Sequence, residues 1–194
     1  MKKGHIFFVM GVSGAGKGTL IENLKRLEDL DVEFMRSYVT RPMRDWEVDG
    51  NIYNFVSLED FKAWIEAWDF LEYELNHWLY YYWTKYSDVV TNWIDKWKKV
   101  LKEIEVKWLK NIYTNNPHFK KYITTIFLDI SKEVLVERIK LRQANISDTE
   151  LSNRIDSLSF EKKDSQIYCD HIIDTSVITP EETLKIVLDI IKSK

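Results

Sequence analysis

The feature that most restricts this chain is a glycine-rich turn set between an apolar run and a helical pattern. Ile6-Phe7-Phe8-Val9-Met10 is continuously apolar, as a parallel strand covered on both faces would be. Gly11-Val12-Ser13-Gly14-Ala15-Gly16-Lys17-Gly18-Thr19 follows, and then leucines at 20, 24 and 27. Strand, G-x-x-x-x-G-K and helix, in that order, make a phosphate-binding loop. Small residues let backbone N–H groups turn inward around a phosphate, and the helix N-terminus adds positive potential. Lys17 can reach the outer phosphates as a point charge. Gly18 has no side chain, so Thr19 is the expected Mg²⁺-linked contact, through water. The bland alternative is a turn with a solvated lysine, and the full spacing between strand and helix counts against it. The loop points to a nucleoside triphosphate without naming the acceptor.

Composition narrows the class. The chain has 194 residues, a formal charge of -3 and 45% hydrophobic residues, which suits one domain and excludes intrinsic disorder. The near-neutral balance argues against a dedicated nucleic-acid or membrane-surface binder. One cysteine, Cys169, excludes a disulfide framework and a cysteine-based zinc site. His5, His77, His118 and His171 share no metal-ligand spacing. No apolar stretch is long enough to cross a membrane, and the first one is too short for a signal peptide. A cytoplasmic enzyme is the expectation.

The rest of the chain alternates strand-like and helix-like segments. Strands are expected at 33–39, 52–56, 70–75, 80–84, 99–106, 122–130 and 171–174. Helices are expected from Ser57 to about 67, and over 88–96, 107–113, 131–141, 148–164 and 180–193, the last capped by Thr179 with Pro180 in its first turn. Alternation at both ends implies a parallel sheet with helices on its faces. The fold class expected is α/β, a P-loop three-layer α/β/α fold with a parallel sheet. The consecutive short strands of the middle add a small α+β insertion.

Ser37-Tyr38-Val39-Thr40-Arg41-Pro42-Met43-Arg44-Asp45-Trp46-Glu47-Val48-Asp49-Gly50-Asn51-Ile52-Tyr53-Asn54-Phe55 is the informative stretch for the acceptor. Two arginines three apart, with a serine upstream and a tyrosine downstream, can clamp a phosphate monoester through forked hydrogen bonds. A basic surface loop paired with Glu47 and Asp49 is the plainer reading. Taken with the phosphate loop, the stretch closely resembles guanylate kinases, whose pattern is S-x-x-x-R-x-x-R-x-G-E-x-x-G-x-x-Y-x-F. The resemblance continues through Phe70-Leu71-Glu72-Tyr73, Tyr81-Tyr82-Trp83-Thr84 and the segment from Val100 to Trp108.

The resemblance implies one guanylate-kinase-like domain over 1–194. Its core covers 1–35 and 89–194, its nucleoside-monophosphate insertion about 36–88, and its helical lid about 138–155. It implies that Arg41, Arg44, Tyr53 and Tyr82 hold the GMP phosphate and that Ser37, Glu72, Thr84 and Glu105 face guanine. Chemistry agrees for Glu72, because a carboxylate can accept from both N1–H and the 2-amino group, a donor pair adenine lacks. Glu105 stands where the family has Asp, and Lys107 where it has Gln. Glu103 matches an acid of the Mg²⁺ and phosphate region and joins Thr19 as an expected metal contact through water. Glu103, Glu105 and Lys107 could also be one polar face of a strand. Arg138, Arg142 and Arg154 match lid arginines, Arg138 beside ATP and the other two at the transferring phosphoryl group. The plainer reading makes them surface partners of Glu137, Asp148 or Glu150. Gln143 replaces the family's Gly, and Asp174-Thr175 its Asn-Asp.

Tryptophan is the anomaly. There are 8 Trp and only 6 Gly, and every Trp lies between 46 and 108. Trp68 and Trp97 follow expected helices, where a residue of positive φ is favoured. Trp46, Trp68, Trp78, Trp83, Trp97 and Trp108 fall where guanylate kinases typically carry Gly; Trp64 and Trp93 do not. Reading of UGA as glycine in the source would produce this pattern, whereas genuine Trp would pair as stripes at 64/68 and 93/97. An indole at 83, beside Tyr82 and Thr84, is expected to block GMP or distort its strand, leaving the sequence as written weakly active.

The expected reaction is therefore ATP with GMP, and with dGMP, to ADP and the diphosphate. Mg²⁺ is the cofactor and Lys17, Arg41, Arg142 and Arg154 are the catalytic groups. Closure of the insertion and lid would exclude water. The alternatives are a ribose bisphosphate kinase of the same fold, which would not need Glu72 as a base reader, and a non-catalytic guanylate-kinase-like binding module, which would not keep Lys17. The partners expected are small molecules, with no nucleic acid and no membrane, on a monomer or homodimer.

Overall fold

A computed structural model describes residues 4–43, 45, 47–50, 53–76, 80–89 and 96–194, with the side chains of 72 and 74–76 left out. Arg44, Trp46, Trp78 and Trp93, and the side chain of Glu72, lie outside what is described.

The elements run β1 (His5–Met10), α1 (Lys17–Lys25), β2 (Glu33–Met35), β3 (Ser37–Val39), β4 (Tyr53–Phe55), α2 (Leu58–Glu66), β5 (Glu72–Asn76), β6 (Tyr80–Thr84) and α3 (Tyr86–Val89). Then come β7 (Lys99–Glu103), α4 (Val106–Asn115), a 3-10 turn (Pro117–Tyr122), β8 (Ile123–Asp129), α5 (Lys132–Arg142), α6 (Asp148–Tyr168), β9 (His171–Asp174) and α7 (Pro180–Lys192). A five-stranded parallel sheet has the order β2-β7-β1-β8-β9, and a second sheet the order β4-β3-β6-β5. The central place of β1 explains its unbroken apolar sequence: Ile6 to Met10 are each at most 1% exposed.

The chain divides into two compact units. The first is built from the residues before Phe7, from Val32–Lys102 and from Asn111–Tyr122. It pairs β2 with β7 in parallel, Phe34 opposite Leu101, and holds the whole second sheet. There β3 pairs parallel with β4, and antiparallel with β6, which in turn pairs antiparallel with β5. Ser57 caps α2 by accepting the Asp60 N–H at 3.0 Å. Phe61 of α2 stacks on Tyr81, with 4.2 Å between ring centroids. The expected insertion, 36–88, lies within this unit.

The second unit comprises Phe7–Asp31, Glu103–Lys110 and Ile123–Lys194. Here β8 pairs parallel with β9, Phe127 opposite Ile172. Ser131, Ser147 and Thr179 cap α5, α6 and α7, and Thr179 with Glu182 forms a full capping box.

Several expected elements change; the strand expected over 70–75 is β5, Glu72–Asn76, and the helix expected over 107–113 is α4, Val106–Asn115. The strand over 33–39 is two strands, because the chain passes from one sheet to the other at exposed Arg36. Met35, Ser37 and Val39 are all buried, so the period-2 pattern runs through the break. The strand over 99–106 ends at Glu103, and Val106 opens α4. Glu103, Glu105 and Lys107 therefore do not form one strand face. Helix α6 continues a further turn, to Tyr168. The helix expected over 88–96 is described only as far as Val89, within α3.

Candidate active site

In the second unit the loop after β1 turns back on itself, the Ala15 N–H donating to the Val12 carbonyl at 3.1 Å. Gly11 has φ +141°, and a Cβ there would lie 2.5 Å from the Leu128 carbonyl oxygen on β8, so only glycine lets loop and strand approach this closely. Gly16 takes φ +98° as the N-cap of α1. Lys17 folds along this loop, donating to the Gly11 carbonyl and, at 3.2 Å, to the Val12 carbonyl. Its ammonium lies 3.5 Å from Glu103. Thr19 is exposed at the start of α1.

Of Arg138, Arg142 and Arg154, the first two reach this loop. Arg138 donates to the Gly14 carbonyl at 3.4 Å and to the Thr175 carbonyl at 2.7 Å. Arg142 donates to the Ser13 hydroxyl at 3.3 Å. Arg154 instead pairs with Glu150 one turn back, at 2.5 Å, while its Nη1 is buried with no hydrogen-bond partner. A buried donor without a partner costs about 1–3 kcal/mol, so a ligand oxygen there would be favourable.

A pocket of about 250 Å³ opens beside the loop, lined by Gly14, Ala15, Leu20, Arg138, Thr175, Ile178 and Pro180. Sequence reasoning named Thr175 only as a departure from the family. In the structure it is 4% exposed, its hydroxyl 3.1 Å from the Ala15 carbonyl oxygen and 2.9 Å from that of Asp129. It thus ties the end of β9 to the loop. Glu161 was missed altogether. Burial pushes its carboxyl up to about 7, against the pull of Lys17 and with the repulsion of Glu105 added. The one clue in the sequence was its place seven residues after Arg154, which puts both on the same face of α6.

The first unit holds the other cluster. Arg41, just past β3, is 8% exposed. Its two terminal nitrogens grip the Glu47 carboxylate, one of them at 2.6 Å, and its Nε donates to the Tyr82 hydroxyl at 3.2 Å. The guanidinium carbon sits 5.3 Å from the Tyr53 ring centroid and 5.1 Å from that of Phe55. The Glu47 hydrogen bond, and then Tyr82, hold Arg41 charged against the cost of burial. Glu47 is its partner, as the plainer reading had it, but the pair is buried rather than a surface contact. Asp49 accepts the Phe55 N–H at 2.8 Å.

Ser37 and Thr84 are buried, at 9% and 1% exposure. The Ser37 hydroxyl accepts from the ammonium of Lys102 at 2.6 Å, a buried lysine that sequence reasoning did not single out. The backbone of Glu72 pairs with Thr84 across β5 and β6. Glu105 belongs to the second unit, where it pairs with Lys107 at 3.0 Å. The structure therefore gathers Arg41, Tyr53 and Tyr82, places Ser37 beside Lys102, and leaves Glu105 half exposed.

For Trp83 the structure gives the direction of the indole. On β6, Tyr82 points toward Arg41 and Tyr53, while Trp83 points the other way. Trp83 packs on Phe61 and Trp64 of α2, at 4.7 and 5.6 Å between centroids, and is fully buried. Alternation along a strand puts neighbours on opposite faces, so the indole does not occupy the face that carries Tyr82.

The guanylate kinase family model matches residues 3–194. A guanylate kinase of Sulfurimonas denitrificans is 33% identical over 100% of this chain and 91% of its own length. One of Thermotoga maritima is 32% identical over 99% of the chain and 88% of its own. Among solved structures, a guanylate kinase from Anaplasma phagocytophilum superposes with a TM-score of 0.72 at 20% identity, covering 99% of this chain and 86% of that one.

Proposed function

The chain belongs to the guanylate kinase family, and from that premise we propose how its own residues divide the work of phosphorylating GMP to GDP with ATP. The reading is carried by one observation: each unit holds a cationic cradle of its own, Lys17 in the phosphate loop and Arg41 among tyrosines. Phosphoryl transfer asks the protein chiefly for positioning and charge neutralisation.

On the donor side, the backbone N–H groups from Gly11 to Thr19 cradle the triphosphate and Lys17 reaches its outer phosphates. Glu103 and the two loop carbonyls, which hold the ammonium here, release it to the nucleotide. Arg138 and the pocket beside Thr175 receive the adenine end. Arg142 and Arg154 neutralise the moving phosphoryl group, Arg154 through the Nη1 that has no protein partner. Thr19 and Glu103 offer a hydroxyl and a carboxylate, hard oxygen donors that suit Mg²⁺ with its retained waters. Mg²⁺ supplies charge neutralisation on the phosphate oxygens when bound.

On the acceptor side, Arg41, Arg44, Tyr53 and Tyr82 hold the GMP phosphate. Ser37, Glu72, Thr84 and Glu105 read the base. We take dGMP as a second acceptor beside GMP. Among the described residues no helix is long and apolar enough to cross a membrane, and we place the enzyme in the cytoplasm, as a monomer or homodimer.

A coupled assay of ADP release with GMP, dGMP, AMP, CMP, UMP and ribose 1,5-bisphosphate tests this reading. Turnover with GMP and dGMP alone is expected. Turnover of the sugar phosphate in preference to GMP would favour the ribose bisphosphate kinase, and no ADP release with any acceptor would favour a binding module.

A further inference from the structure

We propose that Lys102 is a positioning residue for base recognition, acting through Ser37. Lys102 lies on β7 and is 1% exposed, with its ammonium 2.6 Å from the Ser37 hydroxyl oxygen. An ammonium has three donors and no acceptor. Toward Lys102 the serine oxygen can therefore only accept, and its own proton is directed elsewhere. A hydroxyl that accepts from a cation is also a stronger donor, because hydrogen-bonded groups polarise one another. Guanine presents O6 and N7 as acceptors. The pair is thus arranged to donate a strengthened hydrogen bond to the 6-oxo group. The proposal rests on the reading of Ser37 as a base contact.

The test compares GMP with two analogues. Inosine monophosphate keeps the 6-oxo group and N1–H and lacks the 2-amino group. The 2-aminopurine ribonucleoside monophosphate keeps the 2-amino group and lacks both the 6-oxo group and the N1–H that Glu72 reads, so the diagnostic quantity is the part of the preference that changes in the Ser37 and Lys102 variants. In Lys102→Met, the kcat/KM preference for GMP over the 2-aminopurine analogue is expected to shrink about tenfold, one charge-assisted hydrogen bond. The preference over inosine monophosphate and the KM for ATP should stay as they are. Lys102→Gln, which keeps a donor, should restore part of the lost preference, an outcome a merely structural lysine would not give. A preference that shrinks in Ser37→Ala with no change in either Lys102 variant overturns the proposal alone. A preference undiminished in Ser37→Ala overturns the reading of Ser37 as well.

A second, independent observation concerns the backbone. Among the described residues, the only non-glycine residues of positive φ are Trp68, at 55°, and Trp97, at 62°. Both indoles are largely exposed, at 82% and 64%, and Trp68 only stacks at the surface on Phe70, 6.3 Å between centroids, so burial does not offset the cost of either left-handed backbone. At the end of α2 the Trp68 N–H donates to the Ile65 carbonyl at 3.0 Å and the Asp69 N–H to the Trp64 carbonyl at 3.1 Å. These are the two hydrogen bonds of a Schellman motif, with Trp68 at the left-handed position glycine usually fills. Trp83 adds a buried indole N–H with no partner. We infer that positions 68 and 97 are glycine in the protein its own cells make, both encoded by UGA read there as glycine. The 8 Trp against 6 Gly agree.

Peptide mass spectrometry of the protein isolated from its source tests this directly. Glycine at both positions is expected, and tryptophan at either overturns the inference. Stability gives a second readout. Trp68→Gly should melt about 2–4 °C above Trp68→Ala, since alanine keeps the Cβ that strains a left-handed residue. At Trp64, inside α2, the order should reverse. Alanine equal to or above glycine at 68 would overturn the claim for that position.

Discussion

The guanidinium of Arg41 is clasped by the carboxylate of Glu47 in a buried, two-pronged ion pair. A carboxylate and a phosphate offer a forked donor the same geometry, so on the proposed reading an acceptor phosphate would take over from Glu47 the fork that the carboxylate holds here. Lysine keeps the charge but not the fork. Arg41→Lys is therefore expected to raise the KM for GMP about tenfold to a hundredfold, the worth of one charge-assisted bond. The KM for ATP should not change. Steady-state kinetics with each substrate varied in turn checks this.

Tyr82 gives a smaller effect on the same group. Its hydroxyl accepts from Arg41 Nε at 3.2 Å. Tyr82→Phe removes that bond but keeps the ring beside Tyr53, and should lower kcat/KM for GMP by roughly 3- to 10-fold. The Arg41→Lys/Tyr82→Phe double variant should lose less than the product of the single losses, because the two residues contact each other.

Lys17 lies against the Gly11 and Val12 carbonyls and Glu103 in the second unit. Lys17→Met should reduce kcat at least about a hundredfold through lost charge neutralisation. The GMP dissociation constant, measured by calorimetry without ATP, should stay the same.

Glu161 sets a pH dependence whose sign follows from its burial. Its carboxyl is pushed from an ordinary 4.5 up to about 7. Between those values the folded state binds more protons than the unfolded chain, so this residue's contribution falls as pH rises through that window. Glu161→Gln should flatten the dependence of Tm on pH between about 4.5 and 7 and raise Tm most above it. A melting series in overlapping buffers checks both features. Asp174 moves the other way: Ser176 donates to it from its hydroxyl and its backbone N–H and holds its carboxyl below the usual range. Its contribution is therefore kept at neutral pH and lost only on acidification.

Much of this was legible in the chain. The phosphate loop, β1, α2 with its Ser57 cap, and α7 with Thr179 rest on local rules, so they could be read from short windows. The break at Arg36 could not, because alternating burial runs through Met35, Ser37 and Val39 while the hydrogen-bonding partner changes from β7 to β6 and β4. Lys102 was hidden for a related reason. A lysine in a strand reads as a solvent-facing position, and only the approach of Ser37, far away in sequence, reveals it as buried. The side to which Trp83 points follows from simple alternation with Tyr82, a rule the sequence already carries.

The most direct measurement follows the phosphoryl group itself. The protein, and its Trp68→Gly/Trp97→Gly variant, would be incubated with GMP, Mg²⁺ and ATP labelled at the γ-phosphate. Label in the β-phosphate of GDP, dependent on GMP and lost in Lys17→Met, is the expected result. Label that reaches only inorganic phosphate in both proteins, or stays in ATP in both, would contradict the account.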